Sequence, residues 1–295
     1  MNTESRSGEL DALRKRLQKE QRRLTRRKFL RNPQSAAGLA IVAFMTLTAA
    51  FGPLLVRASP LAADVANQLQ PPSRAHWFGT DLLGRDVFAR VVYGARTSMT
   101  VGFSVGVISG ALGMLIGLYA CSGAALDGVL MRLCDGLKAI PSLLLAIALM
   151  TALGADARNV ILSLAIVSTP SMGRLARSAA LVVREQTYIE AMRGLGATPA
   201  RILFRHIAPN IAAPLIVQTT FVFASAIMAE AALSFLGAGV PPPQPSWGSI
   251  LSEGRTVIYR AQWMIAFPGA AAALAVLGLN LLGDGIRDTL DPKAD

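Results

Sequence analysis

From Ser35 to Val56 the chain reads SAAGLAIVAFMTLTAAFGPLLV, twenty-two residues without a charge. A helix needs about 20 apolar residues to cross a bilayer core, so a stretch of this kind commits the chain to lipid. Five further stretches follow, near 97–120, 128–153, 159–181, 211–235 and 262–282. Composition agrees: 53% of the 295 residues are hydrophobic and only 16% are charged, against about 25% charged in an ordinary soluble domain. The expected fold class is an all-α polytopic membrane protein with six transmembrane helices. The spans carry their own packing signals. Gly102, Gly106 and Gly110 recur every four residues in the second, followed by Gly113 and Gly117, and small residues at that spacing let helix backbones approach closely in lipid. Pro141 predicts a kink in the third span. Gly283-Asp284-Gly285 reads as the end of the sixth.

Charge orients the spans. The net charge is +11, and eleven of the 29 Lys and Arg residues precede the first span. Arg174, Arg177, Arg184, Arg193, Arg201 and Arg205 cluster around the connection between the fourth and fifth spans. The positive-inside rule places both of these regions, and hence both termini, in the cytoplasm. This distribution argues for anionic lipid as the partner of the basic residues, and against nucleic acid. Residues 1–34 form a basic arm in which Leu10, Leu13, Leu17 and Leu24 recur near helical spacing. The alternatives there are an amphipathic helix on the inner leaflet and a disordered tail. The first span is too long and too far from the N-terminus for a cleaved signal peptide. Residues 35–293 form the membrane domain, with external loops at 57–96 and 236–261 and a cytoplasmic loop at 182–210.

Enzyme chemistry is not indicated. No phosphate-cradling G-x-x-x-x-G-K-[ST] string occurs, and His76 and His206 lie far apart, so no metal site or nucleophile–His pair is expected. Cys121 and Cys134 sit in or beside apolar stretches and read as packing residues. Three acids fall within or at the ends of spans: Asp135, Glu230 and Asp284. Intramembrane acids either brace helices or line a substrate path, and both roles stay open for each. A secondary transporter would be expected to show midmembrane ionisable residues or an internal repeat. Neither is evident.

The cytoplasmic loop is the most informative segment. Connections between membrane helices are usually short, yet this one spends about 28 residues on TYIEAMRGLGATPARILFRHIAPN and its flanks. Thr187 and Glu190 fit a capping box, with Glu190 reaching back to brace the helix start. Gly196 suits a left-handed stop. Thr198 and Pro199 suit a second helix start, and Pro209-Asn210 would punctuate the approach to the fifth span. Two short helices around a glycine are therefore expected. Tyr188, Met192 and Leu195 would form an apolar stripe without lipid to face, open to a helix-in-groove partner.

Glu190-Ala191-Met192, Gly196 and Pro209 resemble the cytoplasmic EAA loop of binding-protein-dependent ABC importer permeases. Met192 departs from that family's usual alanine, and Ala208 from its usual leucine. The resemblance extends through HWFGTDLLGRD at 76–86, YGAR at 93–96, SFLG at 234–237, PSWG at 245–248, NLLGDG at 280–285 and Asp291-Pro292. It is closest to the second permease subunit of the dipeptide, oligopeptide and nickel group. It implies that the loop at 182–210 is a coupling loop, with Thr187, Tyr188, Glu190, Ala191, Met192, Gly196, Pro199 and Pro209 as its ATPase-coupling residues. It implies as partners a second permease chain, two cytoplasmic ATPases and an external solute-binding protein. ATP and Mg2+ would belong to the ATPases, so this chain would bind no cofactor. The implied location is a bacterial inner membrane and the implied cargo is di- or oligopeptides, with nickel, glutathione and opines as alternatives. In HWFGTDLLGRD, turn chemistry around Gly79 and Gly84 suggests either a charged brace for the external loop or a contact with the binding protein. Trp247 and Trp263 are placed at the membrane interface.

Overall fold

A computed structural model describes residues 27–56 and 58–290, together with Arg16, Glu20 and Arg23. The leucines of the N-terminal arm and Asp291-Pro292 lie outside the described residues. Among the described residues the fold is helical throughout, with no β-sheet. Helix α1 spans Pro33–Leu55. Asn32 caps it by accepting from the Gln34 amide at 2.9 Å, and Pro33 at the first position sacrifices only an amide that would lack a partner anyway. After the first loop come α2 (Val87–Ser122), α3 (Ala124–Ala139), α4 (Ser142–Leu153) and α5 (Ala157–Arg184). Helix α6 spans Thr187–Gly194, α7 runs Pro199–Phe235, and α8 (Trp247–Arg255) and α9 (Trp263–Leu290) follow.

Four of these helices, α1, α2, α7 and α9, are long and apolar enough to cross a membrane. Much of their outward surface is hydrocarbon: Leu54 is 81% exposed and Leu55 79%, a surface that only lipid or another apolar partner satisfies. The pair α3 and α4 passes the same test together but bends by 93° at its junction. The kink expected at Pro141 is thus a full break. The ring disfavours helical geometry at the residue before it, and Ile140 is extended, with φ −88° and ψ 130°. Helix α5 has the length, but its serines, its threonine and the arginines of its last three turns lower its apolarity.

Two further expectations are corrected. Pro209 does not interrupt the chain before the fifth span. Ile202–Ile207 is π-helical, and the looser winding carries one helix through Pro209 without a break. Nor do Gly283 and Gly285 end the sixth span, because α9 continues to Leu290. These glycines serve close packing instead: Gly283 lies against Thr220 and Phe221 of α7, and Gly285 against Ser35 of α1.

Helix α2 is the axis of the molecule. One apolar core gathers α2, α4, α5 and α7 around Val105, Leu118, Met172 and Ile211. A second gathers α1, α2, α8 and α9 around Met45, Val91, Trp247 and Leu279. The glycines of α2 divide between neighbours. Gly102 and Gly106 receive Phe223 and Thr219 of α7, while Gly113 and Gly117 receive Met172 and Ala176 of α5. A Cβ at Gly117 would overlap the Ala176 side chain and the Arg177 backbone. Gly117→Val is therefore expected to lower stability by about 1–3 kcal/mol through overpacking. Gly128→Ala, at a position with open space around it, should be neutral or slightly stabilising. Thermal unfolding in mild detergent reads both; equal midpoints would remove the packing role of Gly117.

Candidate functional site: a short connecting helix and a charge-free cleft

Helix α6 follows α5 after a two-residue turn at Glu185 and Gln186. Its first turn differs from the expected capping box. Gln186 occupies the cap position in extended geometry, no side chain caps the helix, and Thr187 is its first residue. Glu190 is exposed and its side chain has no partner among the described residues, so it is not the internal brace that the sequence suggested. The box fails because Thr187 sits one residue too far into the helix for its hydroxyl to reach the third amide. What holds α6 is Ile189, fully buried in the core with α5 and α7. Asn210 adds a hydrogen bond from Nδ2 to the Tyr188 hydroxyl at 3.3 Å.

The far end of α6 matches expectation. Gly196 has φ +77°. Its amide donates to the Arg193 carbonyl at 2.9 Å, and that of Ala197 donates to the Met192 carbonyl at 3.0 Å. Two otherwise orphaned carbonyls are thus satisfied by a left-handed C-terminal stop. Thr198 then caps α7 by accepting from the Arg201 amide at 3.4 Å, with Pro199 at the first helical position. The outer surface of this unit is mixed. Tyr188 is 41% exposed, Phe204 47% and Leu195 84%; Met192 is half-buried; Ala191, Arg193, Arg201, Arg205 and Pro209 are exposed. The predicted stripe is present, and Phe204, which touches Tyr119 at the end of α2, extends it.

The three acids part company. Asp135 on α3 pairs with Arg174 on α5 at 2.5 Å, and Asp127 pairs with Arg177 beside it. These two ties hold the otherwise exposed α3 against α5. Glu230 is fully buried. It accepts from Ser98 of α2 at 3.0 Å and from Ser234 of its own helix at 2.8 Å. Ser98 in turn accepts from the Trp247 amide at 3.2 Å, so Glu230 braces α2, α7 and α8. Asp284 is exposed on α9 and pairs with none of the described residues.

The loop between α1 and α2 is held by a four-charge cluster. Asp81, fully buried, accepts from Arg85 Nε at 2.6 Å and Arg90 Nη1 at 2.5 Å. It also accepts the amides of Leu83 and Arg85. Glu253 of α8 closes the cluster, accepting from Arg85 at 2.7 Å and from both Arg90 Nη groups at 2.5 and 2.8 Å. Sequence reasoning missed Glu253, which lies 163 residues from Arg90 and carries no local signal. Trp247 is not interfacial but fully buried, with its indole donating to the Val91 carbonyl at 3.1 Å. The Trp263 indole donates to the Thr80 carbonyl at 3.0 Å. Helices α4, α5 and α7 leave an open cleft of about 610 Å3 between them, walled by small, apolar and hydroxyl residues and by Gln218. Among the described residues no group of three or more His, Cys, Asp or Glu could hold a metal ion.

A helical chain with several helices of membrane-spanning length, a short polar helix packed against the ends of two of them and an open cleft between them has the architecture of a permease. The chain belongs to the family of binding-protein-dependent transport system inner membrane components, which it matches over residues 110–295. Residues 20–72 match the N-terminal transmembrane domain of oligopeptide transport permease C. It is 46% identical over 270 residues to a putative peptide transport system permease protein of Brucella abortus, covering 92% of this chain and 91% of that one. It is 45% identical to the dipeptide transport system permease protein DppC of Alkalihalophilus pseudofirmus, over 89% and 87% of the two chains. With the oligopeptide permease OppC of Bacillus subtilis it shares 38% identity over 90% and 88%. Among solved structures, a chain of the inward-facing MetNI methionine ABC transporter shares the fold, with TM-score 0.58 and 20% identity over 68% of this chain and 97% of that chain.

Proposed function

We propose that this chain is the six-span permease subunit of an ATP-driven importer of di- or oligopeptides. In this reading α1, α2, the broken pair α3–α4, α5, α7 and α9 cross the membrane, and both termini are cytoplasmic. A second permease chain completes the path, two cytoplasmic ATPases drive it, and an external binding protein delivers the peptide. ATP and Mg2+ stay with the ATPases, and this chain performs no chemistry of its own. The names of its relatives support the peptide as cargo, with nickel, glutathione and opines as the alternatives within the same architecture.

The observation that carries the coupling role is α6 itself. Eight residues of helix, anchored through Ile189, and the C-cap that follows present Tyr188 and Leu195 outward, with Arg193 on the same helix and Arg201 and Arg205 exposed on the first turns of α7. A soluble protein with an apolar groove and an acidic rim fits this surface by helix-in-groove docking. Movement of that protein would be transmitted through Ile189 to α5 and α7, and the spans would rock between outward-open and inward-open states. With Met192→Cys, and a cysteine placed in the groove of the ATPase, a disulfide should form in the assembled transporter and change in yield with ATP. If the cysteine at 192 reacted only with lipid-soluble probes and never with the ATPase, α6 would not be the coupling helix.

A further inference from the structure

The cleft between α4, α5 and α7 is notable for what its wall is made of. Its polar members are Ser142 on α4, Ser168 and Ser171 on α5, and Gln218 and Ser225 on α7; no charged side chain lines it. Gln218 and Ser225 are seven residues apart, two turns of α7, and so share a face, as Ser168 and Ser171 do on α5. The Ser225 hydroxyl donates to the Phe221 carbonyl at 2.8 Å and keeps only its acceptor capacity. The side chains of Ser142, Ser168, Ser171 and Gln218 make no hydrogen bond with the described residues. Those of Ser168, Ser171 and Gln218, half-buried in an apolar wall, favour a partner that completes their bonding.

The nearby acids of the span ends are engaged elsewhere. Asp127 and Asp135 pair with Arg177 and Arg174, and Glu230 is committed to Ser98 and Ser234. The cleft therefore presents neutral donors and acceptors only. Among them Gln218 alone offers a carbonyl acceptor and N–H donors on one rigid plane. That is the complement of a peptide group, which presents one C=O and one N–H. A wall without charge neither attracts nor repels a charged side chain by a direct Coulomb contact, whereas one fixed charge in a low-dielectric wall would discriminate strongly.

We propose that Gln218 is a specificity-determining residue of the passage, reading the peptide bond of the solute, and that the charge-free wall lets peptides of either side-chain charge pass alike. This rests on the cleft being part of the solute path of a peptide importer. The test uses the assembled transporter in vesicles with its binding protein, and compares uptake of dialanine, alanyl-lysine and alanyl-glutamate. Gln218→Leu, close in size and without hydrogen-bonding capacity, should slow all three about tenfold. Gln218→Lys should slow alanyl-lysine at least tenfold relative to alanyl-glutamate. Separately, Ser168→Cys and Ser225→Cys should react with a water-soluble thiol reagent and be protected by dialanine during turnover.

The outcomes separate. Protected cysteines with no charge discrimination in Gln218→Lys would leave the cleft on the path and overturn the role of Gln218. Cysteines that are neither labelled nor protected would overturn the cleft as a path, and the inference with it. If Gln218→Lys does not assemble, Gln218→Leu still decides: uptake of all three peptides at the unsubstituted rate overturns the proposal.

Discussion

Arg90→Ala is expected to lower the unfolding free energy by about 3 kcal/mol, the lower end of the cost of breaking a buried ion pair, because Arg85 still serves both acids. The Arg90 side chain is only 3% exposed and bridges Asp81, which is fully buried, to Glu253. Without it Asp81 keeps Arg85 and two backbone amides, but Glu253 loses its bidentate partner and α8 loses its electrostatic tie to α2. Arg85→Ala should cost less, because Arg85 is more exposed and Arg90 still spans both acids. Added salt should change little, since buried pairs are poorly screened. Denaturant unfolding in mild detergent reads the difference. A shift for Arg90→Ala within about 0.5 kcal/mol of the unsubstituted protein, the range of an ordinary surface substitution, would mean that the cluster does not hold the loop between α1 and α2.

Gly196→Val is expected to cut peptide uptake by more than tenfold while the chain still inserts and assembles. At φ +77° a side chain meets the backbone, at a cost of about 1–2 kcal/mol for an L-residue, and a β-branched one fits worst. Open space surrounds Gly196, so the penalty is conformational and not a clash with a neighbour. The chain would relieve it by unwinding the last turn of α6, which loosens Met192 and Leu195 on the docking face. ATP hydrolysis should then continue with little transport. Gly196→Asn, which tolerates the left-handed region, should retain most of the uptake. Normal uptake in Gly196→Val would remove the glycine stop from the coupling mechanism.

Local signals predicted local structure well where one residue's chemistry sufficed. Gly196 stopped α6, Thr198 and Pro199 started α7, and the glycines of α2 became its packing seams. Predictions failed where two constraints competed. Pro209 falls inside one continuous helix, because the π-helical turn just before it loosens the winding and the apolar run holds the span together. Gly283 and Gly285 look like a stop and act as a contact, because α1 and α7 press against that part of α9. Thr187 and Glu190 spell a capping box, yet the turn after α5 sets the start of α6 one residue early. The outward placement of Tyr188 was readable from period and charge; the anchor Ile189 was not, because a lone isoleucine in a polar stretch gives no sign of what will cover it.

The sequence by itself determined that this chain lives in lipid, since apolar runs of about 20 residues admit no other solvent. Its motifs also determined the family. Only the tertiary structure decided that Asp81, Arg85, Arg90 and Glu253 form one cluster, that Glu230 braces while Asp284 stands free of the described residues, and that Gln218 faces a cleft. The reason is physical. Solvent preference and helix capping act over a few residues and leave their mark in the local pattern, whereas ion pairing and cavity walls depend on which helices meet, and that is fixed by the packing of α2 against all its neighbours at once.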